Sequence, residues 1–98
     1  MKREERENLR NELKNKYGIA AGTTEEDIFD DSVDRYTMGN PDTIRVFYGI
    51  ETEEDREQAI VKDFEEQKRR FAEHLAWMQC TEEDYFKAGN RWSRIYYS

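Results

Sequence analysis

Residues 43–50 read TIRVFYGI, and the secondary structure of this octet decides whether the chain contains a sheet. Thr43, Ile44, Val46 and Ile50 are β-branched, Phe47 and Tyr48 are aromatic, and the turn-forming GNP of Gly39–Pro41 stands ahead of them. That composition suits a pleated, half-buried surface bounded by turns, so the octet reads as a strand. A second run, RWSRIYY at 91–97, sets Trp92, Arg94 and Tyr96 alternately against Ser93, Ile95 and Tyr97. It reads as the antiparallel partner of the first, with a helical continuation through Trp92, Ile95 and Tyr96 as the competing reading.

Helical signals surround this pair. The word TEED occurs at Thr24–Asp27, Thr52–Asp55 and Thr81–Asp84, each time ahead of a stretch with helical spacing. Thr-x-x-Asp is close to a capping box: the threonine oxygen accepts a first-turn N–H, and the acids suit the positive end of the helix dipole. The residues after the three copies share no further pattern, which argues against an internal repeat. Three successive acids in one turn also fan around a helix and do not converge on a cation.

The resulting layout is a charged N-terminal helix over 1–17, an acidic helix over 24–38, a strand over 43–50, a long helix over 53–79, a short helix over 82–88 and a strand over 91–97. The predicted fold class is α+β and predominantly helical, with three to four helices, one of them long, and a small antiparallel two-stranded sheet. At ~1.5 Å per residue the long helix runs about 40 Å, more than a compact domain of this size is wide.

The chain has 98 residues, enough for one small domain with one core. Leu, Ile, Val and Phe number only 17, but six Tyr and two Trp raise the large apolar and aromatic side chains to 25. Aromatic rings bury large areas, so a folded domain of modest stability is expected. The charged start, MKREERENLR, predicts no signal peptide, and no apolar run approaches the ~20 residues of a membrane span. A soluble cytoplasmic protein with no membrane association is the expectation. Cys80 stands alone, which leaves no intrachain disulfide and no CxxC knuckle.

Net charge is −7 and unevenly placed. Residues 25–57 hold twelve acids against three bases, a balance of −9, whereas the rest of the chain sums to +2. On the second helix Asp27, Asp30, Asp31 and Asp34 are spaced to share one face, where like charges repel by a few tenths of a kcal/mol per pair. Asp is also a poor helix former, so this row asks for a reason. Asp42, Glu53, Glu54 and Asp55 lie near it in sequence and extend the acidic surface.

Few residues offer covalent chemistry. His74 and Cys80 are six apart on one predicted helix, a separation that does not pair a thiol with a base. There is no glycine-rich phosphate loop, GxSxG, HExxH or EF-hand pattern, so no catalytic residue, metal ligand or cofactor is assigned and a non-enzymatic protein is expected. The acidic balance disfavours direct nucleic-acid binding, because phosphate contacts draw on Lys and Arg.

What remains is protein recognition. Asp27, Asp30, Asp31, Asp34, Asp42, Glu53, Glu54 and Asp55 form the expected partner surface, with Tyr36, Phe47 and Tyr48 as aromatic contacts. The expected partner is a basic protein that handles nucleic acid, such as a nuclease complex, with the carboxylates standing in for phosphates. In size and charge the chain is similar to the small acidic inhibitors of phages and mobile elements, including anti-CRISPR and anti-restriction proteins. That resemblance implies a target whose arginines read bases or phosphates. The alternative is a structural or regulatory homodimer that self-associates through Val61, Phe64, Phe71, Leu75 and Met78 on the long helix, with the acids merely solvating it.

Overall fold

Threonine starts three of the helices in the computed structural model, which describes residues 2–90. Thr52 accepts the Asp55 N–H at 3.0 Å while the Asp55 carboxylate accepts the Thr52 N–H at 3.2 Å, a reciprocal capping box that opens α4 (Glu53–Met78). Thr81 accepts the Asp84 N–H at 3.1 Å and opens α5 (Glu82–Lys87). In the first copy of TEED the cap is one residue earlier. Thr23 accepts the Glu26 N–H at 3.2 Å, Thr24 becomes the first residue of α2 (Thr24–Thr37), and Glu26 reaches back to the Gly22 N–H at 3.1 Å. Thr23-x-x-Glu26 is itself a capping pattern, and here it prevails over its neighbour. The charged first helix, α1, spans Arg3–Tyr17 and ends on Gly18 in the left-handed conformation that a side chain disfavours.

The strand expected at 43–50 is a helix instead. α3 covers Pro41–Tyr48, and the described residues contain no strand, so the fold is all-helical over that range and the α+β assignment with a two-stranded sheet is corrected. The capping chemistry accounts for the difference. Asn40 accepts the Asp42 N–H at 2.8 Å, Pro41 occupies the first turn where its missing donor costs nothing, and Gly49 closes the helix at φ 66° with its N–H on the Arg45 carbonyl at 3.0 Å. These start and stop signals outweigh a composition that favours strand only on average. The proposed partner strand at 91–97 lies outside the described residues.

A single core joins the longer helices. Leu13 from α1, Ile28, Phe29 and Val33 from α2, and Ile60, Phe64 and Phe71 from α4 are all buried. Phe29 sits at its centre with no exposed surface and meets Phe64 edge-on at 5.0 Å. Four polar side chains are buried: Ser32 donates to the Ile28 carbonyl and Thr37 to that of Val33, Asp63 lies 4.0 Å from Arg35, and Gln67 keeps its Oε1 without a hydrogen-bond partner among the described residues. α5 folds back on the end of α4, where Tyr85 and Phe86 pack on Phe71 with ring centroids 5.4 and 6.1 Å apart. The 26 residues of α4, about 39 Å of helix at ~1.5 Å per residue, account for the 41 Å length of the molecule.

Candidate functional site

Two charged stripes of opposite sign meet between the first two helices. Arg6, Arg10 and Lys14 recur every fourth residue on α1, and Glu26, Asp30 and Asp34 do the same on α2. The stripes run antiparallel and interlock. Lys14 reaches Glu26 at 3.2 Å and Asp30 at 3.3 Å, while Arg10 pairs with Asp30 at 3.6 Å and donates to Asp34. Half of the aspartate row therefore has a reason inside the fold: Asp30 and Asp34 hold α1 against α2. Burial raises the pKa of Asp30 despite the opposing pull of Lys14 and Arg10. Glu26 is shifted the other way, stabilised as an anion by the Gly22 N–H and then by Lys14. Asp31 is half-buried, and Asp27 is exposed.

Other carboxylates are turned to solvent. Asp27, Asp42, Glu51, Glu53 and Glu54 are exposed and make no ion pair among the described residues. Asp55 belongs to the capping box, where it also accepts the Glu51 N–H at 3.3 Å, so its oxygens are engaged by the backbone. Of the three aromatic residues named from the sequence, Tyr36 is half-buried and meets Tyr48 edge-on at 5.1 Å. Phe47 is open to solvent, 78 % exposed, and its neighbour Val46 is 71 % exposed.

The first turn of α4 forms one wall of a cleft of about 640 Å³ against α1. Glu53, Glu54 and Arg56 line it from α4, and Glu5, Glu12 and Lys16 from α1. Leu9, Leu13 and Ile60 lie beneath. At one edge Glu57 accepts from Lys16 at 2.8 Å and from Tyr17 at 2.9 Å. These bonds, that of Lys16 foremost, hold the Glu57 carboxyl below its ordinary pKa and raise those of Lys16 and Tyr17. Glu5 and Glu12 do not stand out in the sequence, because the first helix is basic in sum. Its helical spacing carries the signal, since Glu5, Leu9, Glu12 and Lys16 fall on a different face from Arg6, Arg10 and Lys14.

The seam proposed for self-association is spent largely within the chain. Phe64 and Phe71 are core residues, Val61 and Leu75 are half-buried, and only Met78 is exposed. The basic run at 68–70 is balanced along α4, with Lys68 on Glu65, Arg69 on Glu73 and Arg70 on Glu66 at 3.5, 2.6 and 3.1 Å. His74 stacks on Trp77 with centroids 6.0 Å apart, and Cys80 is half-buried against the core. Among the described residues no group of three or more His, Cys, Asp or Glu is arranged to hold a metal ion, and no helix is long and apolar enough to cross a membrane. Comparison with protein-family models, with curated proteins and with solved structures finds no match to this chain.

Proposed function

We propose that the protein is a non-enzymatic acidic docking protein whose carboxylates take the place of nucleic-acid phosphates on a basic, nucleic-acid-handling partner. The observation that carries this reading is the cleft between α1 and α4, where Glu5 and Glu12 converge with Glu53 and Glu54 although the two pairs are more than forty residues apart in sequence. With Glu57 the cleft lining carries five carboxylates against two cations, Lys16 and Arg56, a net negative charge that attracts lysine and arginine side chains and speeds encounter with a basic surface. Asp27, Asp42 and Glu51 add exposed negative charge beyond it. The ion pairs of Asp30 and Asp34 remove those two residues from the expected contact surface and leave the charge concentrated at the α4 start and its cleft.

A pulldown from lysate at low salt and at ~0.5 M salt tests this reading, because exposed charge contacts are screened at the higher concentration. The expected outcome is a basic nucleic-acid-binding protein retained only at low salt. A variant with Glu5→Lys, Glu12→Lys, Glu53→Lys and Glu54→Lys, shown by circular dichroism to keep its helices, is expected to lose that protein. Retention of the same protein by the charge-reversed variant counts against the proposal.

A further inference from the structure

We infer that α3 is an apolar anchor that seats Val46 and Phe47 in a hydrophobic pocket on a basic protein surface. Only Ile44 of this helix is buried, and Tyr48 leans on Tyr36 of α2, so one face of α3 attaches it to the fold. Val46 and Phe47 point elsewhere, 71 % and 78 % exposed, and Met38 just ahead of the helix is 52 % exposed. A lone exposed apolar residue is ordinary, but adjacent branched and aromatic side chains on a short, fully capped helix form a projecting apolar feature. An aromatic anchor of this kind, ringed by polar residues, is the usual core of a protein-recognition site.

Charge selects the occupant. Asp42 lies in the first turn of the helix, Glu51, Glu53 and Glu54 come after it, and all four are exposed, against one cation within residues 38–54, the exposed Arg45. A second copy docked about a twofold axis would bring this acidic rim against its own equivalent, and an anionic lipid surface would repel it in the same way. A partner with arginine or lysine around an apolar pocket is complementary on both counts. Glu53 and Glu54 also form a wall of the acidic cleft, and they follow the end of α3 by five and six residues along the chain. The inference rests on that reading for the sign of the partner's charge, but the anchor itself is tested separately.

The test is a photo-cross-linking experiment with Phe47→p-benzoylphenylalanine in the full chain, illuminated in lysate. Trp77→p-benzoylphenylalanine serves as the control, because Trp77 is 80 % exposed on a different element. The expected result is one cross-linked protein specific to position 47, attached through apolar residues that have arginine or lysine beside them. Phe47→Ala is expected to weaken binding of that protein about thirtyfold, as for a residue that dominates its interface. Attachment to a second copy of this chain, the same products from positions 47 and 77, or no product at all overturns the anchor. A specific cross-link that forms equally well at ~0.5 M salt keeps the anchor and sinks the phosphate-mimic reading instead.

Discussion

Two carboxylates in this small protein respond to acid in opposite directions. Glu57 has its pKa lowered, chiefly by Lys16 and then by Tyr17, so the stability it contributes is present above the ordinary carboxylate value and is lost as pH falls through the folded-state value. Asp30 has its pKa raised by burial, so the folded chain holds that proton more tightly than the unfolded chain and stability falls as pH rises through the interval. Urea titrations at stepped pH are expected to show the advantage of wild type over Glu57→Gln vanishing below about pH 4, where the free carboxyl also protonates. Wild type compared with Asp30→Asn should instead gain as pH falls toward about 4, in the interval above the ordinary carboxyl value, because its folded-state pKa is the higher one. Parallel pH dependences for the two variants would show that one of these environments is misassigned. A third residue, Gln79, adopts φ 55° at the end of α4, where its N–H donates to the Ala76 carbonyl and the Cys80 N–H to that of Leu75, both at 3.1 Å. Glycine adopts this conformation without steric cost, so Gln79→Gly is expected to stabilise the protein by about 0.5–1 kcal/mol, read as a raised denaturation midpoint with an unchanged slope.

Pairing of α1 with α2 is electrostatic as well as apolar, since the Arg10 and Lys14 contacts flank the buried Leu13. Arg10→Glu with Lys14→Glu is expected to cost about 2 kcal/mol, because half-buried like charges then face one another. Adding Asp30→Lys and Asp34→Lys should recover more than half of that loss in equilibrium unfolding. No recovery would mean that the stripes contribute little beyond solvation. Both stripes are legible as four-residue spacings, but α2 read alone shows only repulsion, and its explanation lies on another helix. A similar limit applies to α3. Asn40, Pro41 and Gly49 carry the start and stop of a helix, whereas Thr43, Ile44, Val46, Phe47 and Tyr48 carry a strand composition, and the two signals conflict within one octet. The local capping bonds decide such a short segment because each satisfies a backbone group that would otherwise have no intrahelical partner.

At the scale of the whole molecule, one long helix sets the length, and α1, α2 and α5 cover parts of it. The charge imbalance of residues 25–57 is plain in the sequence, but its partition is not. Asp30 and Asp34 turn inward to α1, whereas Glu53 and Glu54 turn outward and meet Glu5 and Glu12 across the cleft. The packing of both α1 and α4 on α2 sets those four around one cleft, and no spacing along the chain encodes it. Phosphate mimicry makes a stronger demand than acidity, because a mimic and nucleic acid must exclude one another from the same basic groove. The direct measurement is therefore a displacement assay on the protein retained by immobilised wild-type chain at low salt, with duplex DNA and structured RNA as competitors. The account predicts that one of these nucleic acids releases the partner at concentrations that leave total ionic strength unchanged. A partner that stays bound while it takes up nucleic acid at the same time would contradict it.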